Sequence, residues 1–177
     1  MVLHGKERID DYYWLRDDDR QDKDVIAYLE AENAYTEQKL AHTEQLQKNL
    51  FEEIAGRLVA EDQTVPVQLG EYEYFREYRE GGEYPIYVRR KVGGDAIEVM
   101  LDVNALAAGH DYFRVGNWAV TQSETLLAYV TDAVSRRIYT LHIKDLESGE
   151  LLSDKIEGVS TSLDWSSEAD YICYVNK

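Results

Sequence analysis

From Asp22 to Leu58 the chain carries apolar residues at helical spacing with little to interrupt them. The run DKDVIAYLEAENAYTEQKLAHTEQLQKNLFEEIAGRL has no proline and no glycine before Gly56. It is rich in Ala, Leu, Glu, Gln and Lys, residues that lose little side-chain freedom in a helix. Leu46, Leu50, Ile54 and Leu58 recur every four residues, which aligns them along one stripe. The spacing predicts two helices, over 24–41 and 44–58, with a bend near His42-Thr43. Asp22 or Asp24 is the expected N-cap of the first and Thr43 that of the second, because a short polar side chain accepts the unpaired amides of a first turn.

Beyond Asp62 the period changes. Thr64–Leu69, Tyr72–Tyr78, Tyr84–Lys91 and Ile97–Val103 are short runs rich in β-branched and aromatic residues, which favour strands. Gly70-Glu71, Gly81-Gly82 and Gly93-Gly94 punctuate them, and glycine supplies the positive φ of tight hairpins. Tyr72, Tyr74 and Tyr78 alternate with Glu71, Glu73 and Glu77, which predicts a strand with one face buried. A second round follows in Asn117–Thr121, Leu126–Val130, Ile138–Ile143 and Glu150–Ile156, and Ser162–Trp165 with Tyr171–Val175 opens a third. Trp118 followed by Leu127-Ala128-Tyr129-Val130 matches Trp165 followed by Ile172-Cys173-Tyr174-Val175 at an offset of 45 to 47 residues. Four strands in about 40–50 residues is the pattern of a β-propeller blade. The expected fold class is therefore mainly β with an α-helical N-terminal extension: a helical segment over 1–62, then about two and a half blades of a partial β-propeller over 63–177. A plain antiparallel meander or sandwich is the alternative. Propellers close with about 4–8 blades, so the sequence reads as a truncated polypeptide.

Charge does not separate the two parts. The whole chain of 177 residues has 35 Asp+Glu against 19 Lys+Arg, a net charge of −16, and each part nets −8. This acidity disfavours nucleic acid and anionic membrane surfaces as partners, since both draw on clustered Lys and Arg. The single cysteine, Cys173, cannot form an internal disulfide, and no signal segment or apolar span is visible, so a cytoplasmic location is expected. Cys173 lies between apolar residues in a predicted strand and is expected to be a buried structural thiol. The four histidines are scattered, no G-x-S-x-G or phosphate-binding loop occurs, and no cofactor or metal is expected. Asp17-Asp18-Asp19 reads as a solvated acidic lead into the first helix, favourable to its dipole. Arg89-Arg90-Lys91 and Arg136-Arg137 read as exposed strand-end or turn residues paired with nearby carboxylates.

The most specific text lies at the start. His4-Gly5-x-x-Arg8-x-Asp10-Asp11-Tyr12-Tyr13-Trp14-Leu15-Arg16-Asp17, then Tyr28-Leu29-Glu30-Ala31-Glu32-Asn33-Ala34-Tyr35, resembles the amino-terminal region of oligopeptidase B-type members of the prolyl oligopeptidase family of serine peptidases. Tyr84–Lys91, Leu101–Phe113, Leu126–Tyr129, Ser135–Leu141 and Lys144–Glu150 extend the resemblance along the whole chain. It departs at Thr121-Gln122-Ser123-Glu124, where the family has a Ser-Pro-Asp turn, and at the loose text Asp164-Trp165-Ser166-Ser167.

The resemblance implies a seven-bladed propeller capping an α/β-hydrolase domain, with the helical extension packed against the latter. It implies cleavage of short peptides after Lys or Arg, and a propeller that restricts access to the active site. The Ser-Asp-His triad of the family belongs to the α/β-hydrolase catalytic domain, which is absent from this chain, so no catalytic residue is assigned and the chain alone is expected to be inactive. Its expected partners are the rest of the propeller, the catalytic domain and, for the whole enzyme, short basic peptides. Tyr12, Tyr13, Trp14 and Leu15, with Arg16 following, form an aromatic cluster suited to anchor a domain interface; the alternative is that it folds back on the local helices. The competing functional reading is a stand-alone or split acidic β-rich module that binds peptide or a partner chain.

Overall fold

The computed structural model describes residues 2–7 and 9–177; Arg8 of the leading motif lies outside the described residues. The chain divides into two compact units, 1–58 and 59–177. The first begins with a two-stranded hairpin, β1 (Val2–Leu3) and β2 (Lys6–Glu7), turned by His4 and Gly5, both at positive φ. A 3-10 turn follows at Tyr13–Leu15, and then α1 (Lys23–Leu40) and α2 (Glu44–Ala55). Asp22 caps α1, its carboxylate accepting from the amides of Asp24 and Val25.

Thr43 does not cap α2. The two helices are joined by a 3-10 turn over Ala41–Thr43, so the backbone stays helical and leaves no free first turn. The Thr43 hydroxyl instead donates back to the Leu40 carbonyl at 2.7 Å. The second helix also ends before Leu58, because Gly56 and the two residues after it close tight turns onto Glu52, Ile54 and Ala55. Val25 is buried, while Leu46, Leu50 and Ile54 of α2 are all exposed.

The second unit is built of two antiparallel sheets. The first holds β3 (Asp62–Gln63), β4 (Val67–Leu69), β5 (Tyr72–Tyr78), β6 (Ile86–Lys91) and β7 (Ile97–Asp102). Its order is β3-β5-β6-β7, with β4 sharing the β5 edge. This is one four-stranded blade whose innermost strand is broken at Val65-Pro66, where proline removes a ladder donor. A short helix absent from the sequence expectation, α3 (Val103–Ala107), follows; it is capped by Asp102, which accepts from Asn104 and Ala105.

The second sheet runs β12-β11-β10-β9-β8, from β8 (Arg114–Val120), β9 (Leu126–Asp132), β10 (Tyr139–Asp145), β11 (Leu151–Trp165) and β12 (Ile172–Asn176). The two strands expected at Glu150–Ile156 and Ser162–Trp165 are one strand of 15 residues. Residues Leu151–Val159 pair with β10, and Val159–Trp165 with β12, so β11 closes the second blade and opens a third. Gly158, at φ +78, sits at the changeover. No turn is needed there, because the chain passes from the outer edge of one blade into the next.

The faces pack as stacked blades. Tyr74, Met100 and Leu101 of the first bury against Leu127 and Tyr129 of the second. The opposite face of the second blade, Val130, Tyr139, Leu141, Ile143 and Val159, packs on Leu163, Trp165 and Ile172. Because β9 is covered on both sides, five of its seven residues are buried. The one-sided burial expected for β5 is likewise incomplete: Tyr74 faces the second blade, while Phe75, on the reverse face, is buried with Ile86 and Val88.

Candidate functional site

The two segments where the sequence departs from the family pattern form equivalent turns, 45 residues apart. Thr121 N donates to Leu126 O at 3.0 Å, and Ser166 N to Tyr171 O at 2.9 Å. The Thr121 hydroxyl accepts from the amide of Leu126 at 3.1 Å, as the Ser166 hydroxyl does from that of Tyr171. Glu124 and Ala169 take the corresponding left-handed conformation, at φ 58 and 59. A hydroxyl that accepts backbone amides fixes such a turn without proline.

Glu124 does more than shape its turn. Its carboxylate reaches the first blade, accepting from the Glu71 amide and from the Tyr74 hydroxyl, both at 3.2 Å. A Cβ at Gly70 would lie 2.6 Å from that carboxylate, so glycine there makes room for it. The Arg89 side chain, on β6, donates to the Glu124 carbonyl and to the Glu98 carboxylate, the latter at 2.9 Å, and lies 4.1 Å from the Tyr72 ring centroid. Burial, with the Glu124 carboxylate adding to it, pushes the Tyr74 phenol up to about 12, so it remains a hydrogen-bond donor. Lys144, from β10, donates to the Met100 carbonyl at 2.8 Å. These contacts join the first blade to the second.

Arg89 therefore corrects the expectation of an exposed basic island. It is only 5% exposed, whereas Lys91 is exposed. The cause is its place on the β6 face that the second blade covers, opposite Tyr74. Arg90 points to the other face and pairs with Glu73 at 2.7 Å.

Along the inner strands of the first two blades runs a groove of about 480 Å³, walled by Val65, Val67 and Leu69 on one side and Gly116-Asn117-Trp118 on the other. It leads past Leu69 to a second hollow of about 390 Å³, bordered by Val120, Thr121, Glu124, Asp164 and Trp165. The strand ends are held in register: Asn117 Nδ2 donates to Thr161 O at 2.9 Å, and Trp165 Nε1 to Ala119 O at 3.0 Å. A Cβ at Gly116 would lie 2.5 Å from the Tyr139 ring, so the backbone approach requires glycine.

In the first unit, Tyr12, Tyr13 and Trp14 are exposed and Leu15 is half-buried. Trp14 meets Tyr28 of α1 edge to face, with centroids 5.1 Å apart, and Arg16 pairs with Asp18 at 3.1 Å. Part of the cluster thus does fold back on the local helix, and most of its aromatic surface stays open. Asp17 accepts from the Asp22 amide at 2.8 Å, and backbone hydrogen bonds hold its carboxyl below the usual range.

Among the described residues, no group of three or more His, Cys, Asp or Glu is placed to hold a metal ion, and no helix is long and apolar enough to cross a membrane. His142 is half-buried, stacked on Tyr129 and 3.0 Å from the Thr131 hydroxyl. Cys173 is exposed, not buried. It does lie in the predicted strand, but β12 is the edge of its sheet, and among the described residues no further strand pairs with it.

A family described as the prolyl oligopeptidase N-terminal beta-propeller domain matches residues 1–177. Dipeptidyl aminopeptidase BI of Pseudoxanthomonas mexicana is 41% identical over 98% of this chain, and protease 2 of Moraxella lacunata 37% identical over 97%. Oligopeptidase B from Leishmania major superposes with a TM-score of 0.88 at 29% identity, covering 96% of this chain and 24% of its own. The chain spans 26% of the length of each of those two curated relatives.

Proposed function

This chain belongs to the prolyl oligopeptidase family, matching its amino-terminal propeller domain, and from that premise we propose that it serves as the propeller portion of a serine oligopeptidase that cleaves short peptides after Lys or Arg. In this reading the blades limit access to a catalytic domain carried by a longer polypeptide. The first unit docks on that domain through Tyr12, Tyr13, Trp14 and Leu15, with Arg16 at their edge, and through the α2 stripe. The observation that carries it is the full-length family match combined with apolar surface left open: Tyr12 is 73% exposed and Ile54 62%. Large aromatic and aliphatic groups left in water on a folded unit mark an interaction surface.

The test is hydrolysis of an amino-blocked arginyl chromogenic peptide by this chain and by the polypeptide encoded when the reading frame is extended downstream of Lys177. Activity only in the extended polypeptide is expected. Cleavage by the present chain would overturn the division of labour, and an inactive extended polypeptide would overturn the peptidase reading. The 41% identity to a protein named dipeptidyl aminopeptidase favours a second reading, in which dipeptides leave from a free amino terminus. Blocked and free-amino substrates assayed side by side separate the two.

A further inference from the structure

Between β9 and β10 the chain turns through Ala133 to Ile138, and this turn carries the adjacent pair Arg136-Arg137, half-buried and exposed. Exposed loop tips are where peptidases nick a folded chain. Two basic residues in succession offer two bonds to an enzyme that cuts after Lys or Arg. The backbone there is held closed. Asp132 is only 2% exposed. Its Oδ1 accepts from the amides of Val134 at 2.8 Å and Ser135 at 3.0 Å, and its Oδ2 from that of Arg137 at 2.7 Å. Ser135 and Arg137 stand in the left-handed region, at φ 64 and 57. The Arg137 carbonyl, part of the second bond, accepts from the Lys177 ammonium. Proteins that grip a peptide through its main chain take it as an extended strand. For either bond to enter a cleft in that form, Ser135 and Arg137 must leave the left-handed region and the buried carboxylate must lose its donors. A buried carboxylate stripped of its donors is costly, so the turn opens rarely.

We propose that Asp132 locks the β9–β10 turn against cleavage after Arg136 and Arg137, making this surface pair a latent processing site for peptidases specific for basic residues, closed in the folded protein. Any such enzyme reads the turn, so the lock stands apart from the peptidase reading above. A longer polypeptide that cuts after Lys or Arg would meet the same turn on every neighbouring molecule, and the lock spares it.

The experiment is a timed digestion of the 177-residue chain with trypsin, the cuts being assigned by mass spectrometry. The readout is the ratio of the cutting rate after Arg136 and Arg137 to that after Arg89 and Arg90. The latter pair lies inside β6 and is reached only when its sheet opens. In the unmodified chain the two pairs should be cut at like rates, within about threefold, because both wait on unfolding. Asp132→Asn replaces one acceptor oxygen by an NH2, which cannot accept the Arg137 amide, and should raise the ratio at least about tenfold. Ser135→Pro, at an exposed position, removes an amide donor and cannot hold a positive φ, and should raise it likewise. A variant that is merely less stable exposes both pairs together and leaves the ratio unchanged. Preferential cutting after Arg136 or Arg137 in the unmodified chain overturns the proposal, and that result depends on no variant folding. An unchanged ratio in Ser135→Pro, or in a folded Asp132→Asn, overturns it equally.

Discussion

Glu124 stands at a junction where one side chain serves two blades, and its two kinds of contact separate by substitution. The two donors bond different oxygens of Glu124. Glu124→Gln keeps one for the Glu71 amide and turns an NH2 toward the Tyr74 oxygen, which can accept it, so the substitution should cost less than about 1 kcal/mol. Glu124→Ala removes the acceptor and strands the phenol of a buried Tyr74, which should cost about 1–3 kcal/mol; equal losses for the two variants would refute the hydrogen-bond account. His142 gives the second test. Its imidazole pKa is lowered by burial and by Lys155, its partner across the β10–β11 pair, while Tyr129 and Thr131 on β9 bring no charge. The fold therefore favours the neutral ring. That contribution is complete above the unfolded value of about 6.5 and is lost as pH falls below it. His142→Phe should flatten the part of the stability profile between neutral and mildly acidic pH. A profile unchanged by the substitution would mean the ring titrates freely.

At the scale of elements, what the sequence revealed was the spacing, and what it hid was the covering. Glycine and β-branched residues marked most strands of the two sheets, though not β3 (Asp62–Gln63), which has neither, and the 45-residue offset returned as two turns with the same hydrogen bonds at Thr121 and Ser166. The burial of Arg89 and the exposure of Cys173 were not legible, because both depend on which neighbouring strand covers a face, and that is decided by chain segments far away in sequence. The joining of two expected strands into β11 was hidden for a related reason: blade succession needs no turn residue. Gly158 is the one punctuation there, and its positive φ makes a further prediction. Gly158→Ala should destabilise the second unit by about 1–2 kcal/mol, whereas the same change at Gly94, which has no positive φ, should have a smaller effect.

The two units differ in how their stability is held, and this governs the behaviour of the whole molecule. Strands of the second unit bury Leu127, Ala128, Val130, Leu141 and Val159 completely. The helices of the first keep Leu29, Tyr35, Leu46, Leu50 and Ile54 largely in water, and helices of this length gain most of their stability from packing an apolar face. Amide exchange should thus show β9 and β10 as the slowest segments, exchanging with global unfolding, and α1 and α2 opening far more readily. Protection of α2 equal to that of β9 would contradict this reading. When the polypeptide extends into the docking domain inferred above, α2 protection should rise while that of β9 stays fixed, because only the helical surface gains a cover. Charge acts on both units together. A net −16 on a chain of this size repels itself in the compact state, and salt screens that repulsion with a Debye length of about 10 Å at 0.1 M. The melting temperature of the second unit should therefore climb with added sodium chloride through the first few tenths molar. A melting temperature that falls with salt would show that surface pairs such as Lys155–Glu157 outweigh the net charge.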